Sequence, residues 1–363
     1  MYNLLLVEID SAAHTPPPRM IAWEITRRCN LKCAHCRAAA GESFYEGELS
    51  TREGCHLIDD IATAGKPIII LTGGEPLMRE DVFELASYAA GKGFNVALGT
   101  NGTLITEDTA TRMTEIPISR VSVSLDFPTP EMQDRFRGME GAFDGAVKGI
   151  QNARRAGLEV QINCTITKMN MPYLESLVSL AIDLGAVSFH PFVIVPTGRG
   201  KGLKNSELTP AECERVLRWI AQRSQEIGDT MTFRPTCAPF YWRIVDQGQA
   251  SSGPSVGGTA RRGCLAGSAF CFISHVGQVQ GCGYLDVPAG NIKQQRFGEV
   301  WRNSPFFKDL RNTSRLKGKC GACNYQVVCG GCRARAYEST GDYLEAEPYC
   351  AYEPSPHHGG ANA

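Results

Sequence analysis

The sequence predicts an α/β fold: a parallel sheet with helical crossovers, followed by a small cysteine-rich segment. Three observations predict it. Short β-branched runs alternate with amphipathic stretches from Met20 to about Phe233, the pattern of strand–helix units joined by short loops. Six such units can be counted, too few to close an eight-unit barrel. Beyond them, eight cysteines crowd between Cys264 and Cys350 among glycine-rich turns. That segment has little apolar material of its own, so metal ligation is expected to supply most of its folding energy.

Taken in order, residues 1–18 end in His14-Thr15-Pro16-Pro17-Pro18, an extended lead-in. Strands are expected over 20–25, 67–71, 95–100, 120–125, 159–166 and 186–195, and helices over 51–64, 79–91, 106–113, 143–156, 173–184 and 209–226. Residues 246–263 carry Gln, Ser, Gly, Pro and Ala without apolar periodicity and are expected to form a linker or mobile loop. Within the cysteine-rich segment one helix is expected, around 297–311. The organisation that follows is a lead-in (1–18), a strand–helix domain (19–235), a junction and linker (236–263), a cysteine-rich domain (264–352) and a disordered tail (353–363) with His357 and His358.

A chain of 363 residues with 43 % hydrophobic content can bury one large α/β domain and a smaller one. Its net charge of −1 argues against nucleic-acid binding through bulk electrostatics. The apolar run Leu4–Val7 is followed by Glu8 and Asp10 and preceded by no basic residue, which suits neither a signal peptide nor a membrane span. Fifteen cysteines in such a chain point to metal ligation in a reducing compartment, so a cytoplasmic protein is expected.

The densest chemical signal is Cys29-Asn30-Leu31-Lys32-Cys33-Ala34-His35-Cys36, directly after the first strand. Soft thiolates at this spacing can hold three corners of a 4Fe-4S cube and leave the fourth iron open to a small molecule. Zinc, with His35 as a further ligand, is the alternative. The C-x3-C-x2-C spacing resembles the signature of the radical S-adenosylmethionine (SAM) superfamily. That resemblance implies a partial (β/α)6 barrel. It also implies an open iron that chelates the amino and carboxylate groups of SAM and cleaves it to a 5'-deoxyadenosyl radical.

Polar groups at the C-terminal strand ends are placed to bind ligands in such a fold. After the second strand, Gly73-Gly74-Glu75 resembles the family motif that holds the SAM amino group. Asn101, Ser124, Asp126 and Thr165 stand at later strand ends and suit a ribose and a carboxylate. Arg137 resembles an arginine that pairs with the SAM carboxylate in relatives. A surface salt bridge is the alternative for it.

In the C-terminal segment, the C-x2-C-x5-C-x2-C run from Cys320 to Cys332, with Gly277-x4-Cys282 before it and Cys350 after it, resembles the SPASM domain. Its central run is one residue shorter than the usual pattern. The resemblance implies a nearer auxiliary cluster on Cys264, Cys271, Cys282 and Cys332, and a farther one on Cys320, Cys323, Cys329 and Cys350. Three 4Fe-4S clusters are therefore expected. A zinc-ribbon pair is the alternative. Cys55, Cys164 and Cys213 are expected to be buried small hydrophobes.

Aromatics and arginines around Thr236-Cys237-Ala238-Pro239, with the Pro196-Thr197-Gly198-Arg199-Gly200 loop, suit a flat apolar ligand with carboxylate arms. They resemble the tetrapyrrole-modifying branch of the SPASM enzymes, comprising alternative haem b synthases and their haem d1 pathway relatives. The resemblance implies oxidative decarboxylation of two propionates of iron-coproporphyrin III. Arg199, Arg234 and Arg243 are the candidate propionate anchors, His190 and Cys237 the candidate axial ligands, with proton or hydrogen-atom donation as other roles and plain packing as the alternative. A low-potential donor such as a ferredoxin or flavodoxin is the expected partner. Other readings are a haem d1 pathway enzyme, a peptide maturase or an electron-transfer protein that never cleaves SAM.

Overall fold

The computed structural model describes residues 15–248 and 263–354. What is expected of residues 1–14, of 249–262 in the linker, and of 355–363 with His357 and His358 lies outside them. Strand β1 (Met20–Thr26) is followed by α1 (Thr51–Ala64), β2 (Ile68–Gly73), α2 (Val82–Gly91), β3 (Val96–Thr100), α3 (Glu107–Glu115) and β4 (Ile118–Ser124). Two helices come next, α4 (Pro130–Arg137) and α5 (Ala142–Arg155), then β5 (Val160–Ile166), α6 (Leu174–Asp183), β6 (Ser188–Val193), α7 (Pro210–Ile227) and the short β7 (Thr232–Phe233). From β1 to β7 the strands lie side by side in chain order, and every pair is parallel. The six expected units are present with ends shifted by a few residues, and β7 is added as a short edge.

Alternation along the strands explains the layering. Val121, Val123, Val160, Ile162 and Phe189 are buried in the same core cluster as Ala146, Ile150, Leu177 and Val178 of the helices. Their neighbours Ser122, Ser124, Gln161, Asn163, Ser188 and His190 therefore face the opposite, concave side. Gly54 in α1 marks a tight contact of the outer layer, where a Cβ would meet Trp23 and Leu85 at 2.8 Å.

Two features depart from the expectations. Residues 246–248 of the expected linker belong to helix α8 (Tyr241–Gly248). The cysteine-rich segment is also no satellite held by metal alone. Its strands β8 (Phe270–Ile273), β9 (Gln278–Cys282) and β10 (Leu285–Asn291) continue the barrel sheet, in the order β10-β9-β8-β1-β2. Strand β8 pairs parallel with β1, Ile21 beside Cys271 and Trp23 beside Ile273. The expected single helix is two, α9 (Phe297–Asn303) and α10 (Pro305–Arg311), because Pro305 cannot extend α9 and instead opens α10. Trp301 and Phe307 from these helices are fully buried in the common core. The segment closes with α11 (Gly318–Gly321) and α12 (Arg333–Thr340). The lead-in is fixed to it through a Trp301 Nε1–H bond to the Pro16 carbonyl, 2.8 Å.

Candidate functional site

The first cysteine loop leaves the top of β1, with its first two sulfurs buried and its Lys32 exposed. Cys29 and Cys33 are 6 % and 8 % exposed, and Cys36 is half-buried. Each sulfur accepts an N–H: Cys29 from Leu31 N at 3.4 Å and Asn101 Nδ2 at 3.9 Å, Cys33 from Arg137 Nη1 at 3.9 Å, Cys36 from Ala40 N at 3.4 Å. Donors aimed at sulfur favour the thiolate and tune an iron-sulfur centre. Burial, helped by the Glu75 carboxylate and the neighbouring thiols, pushes the metal-free Cys29 thiol up to about 12, and burial raises Cys33 as well. Thiolates in this pocket need a cationic partner, and iron is one. The donor set therefore fits a 4Fe-4S cube bound through Cys29, Cys33 and Cys36.

His35 is stacked on Phe136, ring centroids 4.5 Å apart. Among the described residues no three His, Cys, Asp or Glu side chains are gathered tightly enough to chelate one ion. A cube takes one thiolate at each iron and accepts a wider spread. Arg199 braces the loop, donating from Nε to the Cys33 carbonyl at 2.8 Å and from Nη1 to the Ala40 carbonyl at 2.7 Å. Its Nη2 has no partner among the described residues.

The Gly73-Gly74-Glu75 turn lies against the same loop. Gly74 N donates to Thr26 O at 2.9 Å and Glu75 N to Arg28 O at 2.7 Å. A Cβ on Gly74 would stand 2.3 Å from the Arg28 carbonyl, so only glycine permits the approach. The Glu75 carboxylate is fully buried and accepts Thr100 Oγ1 (2.8 Å), Asn101 N (2.7 Å) and Leu77 N (3.1 Å). It fixes the ends of β2 and β3 relative to each other. Asp126 accepts Thr165 N at 2.7 Å and is ion-paired with Arg137, both groups buried. Arg137 thus meets both Asp126 and Cys33 where helix α4 folds over the loop. Gln133, one turn earlier, accepts the backbone N–H groups of Asp126 and Phe127.

Across the concave face, Ser124, Asn163 and His190 fall in one register row of β4, β5 and β6. His190 lies mid-strand, bonded to Ser188 Oγ at 3.0 Å. Burial, then Arg120 and Arg234, pulls its imidazole down to about 3, so the ring is neutral with a lone pair available. Arg234 is exposed after β7, in a groove with Tyr241 and Trp242. Arg243 is buried and ion-paired with Glu214 at 2.5 Å. It packs beside the farther cysteines.

Cys320, Cys323, Cys329 and Cys350 line one small cavity. Cys332, Cys264 and Cys282 are mutual neighbours, and the Cys237 thiol lies beside that of Cys332. Cys271 is not brought to them, because it sits inside β8 with Arg311 as the charged group nearest its thiol. Tyr284, half-buried, has Cys237, Cys282 and Cys36 as neighbours, so it lies between the first loop and this second group. Sequence reasoning missed Arg335, which donates to both oxygens of Glu347 (3.0 and 2.9 Å), to the carbonyls of Val193 and Ile194, and to that of Cys237 at 2.9 Å. Glu347 in turn accepts Cys332 N at 2.7 Å, and its own N–H points to Cys320 Sγ. This fully buried pair links the two cysteine groups to the end of β6.

An open-cornered cysteine loop over a parallel half-barrel, with a second cysteine array docked on its sheet, defines an iron-sulfur radical enzyme. Residues 23–181 match the radical SAM superfamily and residues 264–324 an iron-sulfur cluster-binding domain of the SPASM type. The chain belongs to the radical SAM superfamily, and it is a radical SAM enzyme that uses SAM and 4Fe-4S clusters. It is 48 % identical over 348 residues to an AdoMet-dependent heme synthase of Methanosarcina barkeri, covering 94 % of this chain and 99 % of that one. A pre-heme d1 synthase of Dinoroseobacter shibae is 32 % identical over 367 residues, covering 94 % and 90 %. The crystal structure of Streptococcus suis SuiB bound to S-adenosylmethionine shares the fold, with a TM-score of 0.74 at 17 % identity, over 92 % of this chain and 77 % of that one. Among the described residues no helix is long and apolar enough to cross a membrane.

Proposed function

We propose that the chain converts two propionates of iron-coproporphyrin III to vinyl groups and so yields haem b, consuming one SAM per propionate. The observation that carries this reading is the likeness to AdoMet-dependent heme synthases, which extends over almost the whole of both chains. When bound, the SAM cluster and SAM supply a 5'-deoxyadenosyl radical that removes a hydrogen atom from a propionate β-carbon, after which carbon dioxide and one electron leave. Cys29, Cys33 and Cys36 hold the cube, and the backbone of Gly73 and Gly74 faces the SAM amino group. Asn101, Ser124 and Thr165 offer polar contacts at the same rim. Buried Glu75 and the Asp126–Arg137 pair fix that rim instead of reaching the ligand.

The concave polar row suits the substrate. Arg234, exposed just after the last barrel strand, is the candidate anchor for a propionate, and neutral His190 is the candidate ligand for the porphyrin iron. The C-terminal cysteines would hold two auxiliary clusters, three cubes in all, the nearer of which would supply an acceptor for the departing electron. A ferredoxin or flavodoxin delivers the reducing electron.

Anaerobically reconstituted protein incubated with SAM, a strong reductant and iron-coproporphyrin III tests this. A tetrapyrrole that has lost two carboxyl groups and two hydrogens, matched by two 5'-deoxyadenosines, is the expected product. Deoxyadenosine without a change in porphyrin mass would refute the substrate and leave the radical SAM assignment standing.

A further inference from the structure

The SPASM resemblance places Cys271 in the nearer auxiliary cluster, and strand geometry opposes it. Strands β8 and β9 pair antiparallel, with Phe272 opposite Gln280 and Ile273 opposite Val279. Opposed residues share a face and successive residues alternate. Phe272, Gln280 and Cys282 therefore lie on one face, and Cys271 lies on the other with Gly281. The two faces have different neighbours. Phe272 lies under the Arg37 guanidinium at 4.6 Å, beside the first cysteine loop. Gly281 packs on Phe306 and Leu310 of α10. Cys271 is wholly buried on that helix side, between the sheet and α10.

Cys237 has the opposite character. Its thiol lies beside that of Cys332 and has Cys282 as its next sulfur neighbour. Its backbone adopts φ +56°, a left-handed conformation shared by one other non-glycine residue, Ala39, among those described. Such a conformation persists only where surrounding contacts impose it. Here they are the Arg335 bond to its carbonyl at 2.9 Å and the pairing of Thr236 with Pro191 and Val193 on β6. The chain is turned so that this thiol faces Cys332 and Cys282, and Cys332 in turn has Cys264 beside it.

We propose that Cys237, and not Cys271, is the fourth thiolate of the nearer auxiliary cluster. The assignment rests on the reading of two auxiliary clusters. It makes that cluster a covalent tie between the strand–helix half and the cysteine-rich half, and places it next to Tyr284 and the first loop.

The test uses the full chain with Cys29, Cys33 and Cys36 replaced by alanine, so that only the other cysteines hold iron. After anaerobic reconstitution this background is expected to bind roughly eight irons, four per cube. Adding Cys271→Ala should leave iron, sulfide and the reduced-state EPR spectrum unchanged. Adding Cys237→Ala should free one iron corner. One of the two EPR signals should then change, and should shift again on addition of cyanide, while the other stays as before and reports a folded chain. A Cys237→Ala spectrum equal to the background and insensitive to cyanide, with iron lost in Cys271→Ala instead, would overturn the assignment. A background with only about four irons, all lost when Cys320 and Cys323 are also replaced, would overturn the two-cluster reading and this assignment with it.

Discussion

Single side chains at this site mostly hold other groups in place. Burial pushes the Glu75 carboxyl up from 4.5 to about 7, against the bonds from Asn101, Thr100 and Leu77 that pull it down. A raised carboxyl stabilises the fold fully below its unfolded value, and the contribution is lost as pH rises through the folded value. The stability advantage of the parent over Glu75→Gln should therefore shrink between about pH 5 and pH 8, which thermal unfolding of both proteins across that range would show. Gly74→Ala should eliminate SAM cleavage, read as deoxyadenosine release, because its methyl group would press on the Arg28 carbonyl at 2.3 Å. Arg335→Met would leave the Glu347 charge buried without its partner. Loss of one member of such a pair costs about 3–5 kcal/mol, so a lower Tm and early loss of C-terminal iron are expected.

At the scale of the element, local signals place α1 well. Ser50 and Glu53 form a reciprocal cap, with Ser50 N to Glu53 Oε2 at 2.8 Å and Glu53 N to Ser50 Oγ at 3.3 Å. Ser50→Ala should lower stability by about 1 kcal/mol with SAM cleavage retained, measured by denaturant unfolding beside the deoxyadenosine assay. Helix α4 carried no such signal in its apolar pattern. Of its eight residues, the buried ones are Gln133, Phe136 and Arg137, since this helix caps the polar site instead of a hydrophobic core. The expectation for 297–311 failed for a different reason: both halves are helical and apolar, and Pro305 alone separates them.

For the molecule as a whole, the shared sheet is decisive. A chain ending at Gly248 would expose the edge of β1 that β8 covers through the pairing of Met20–Trp23 with Phe270–Ile273. Unpaired strand edges invite association, so this fragment should aggregate or lose its iron on size-exclusion chromatography, where the full chain should elute as a defined species. By itself the sequence determined the strand–helix alternation, the first cysteine loop and the glycine turn, because hydrophobic period and ligand spacing are local quantities. Only the tertiary structure decided which partners Arg137, Arg199 and Arg243 take, since a guanidinium pairs with whatever carboxylate or carbonyl the fold brings near. It likewise decided that Cys271 and Cys237 lie on different sides. Spacing along the chain does not say which face of a strand a thiol occupies, and that depends on the β8–β9 register and on a left-handed turn held by Arg335, a residue 98 positions away.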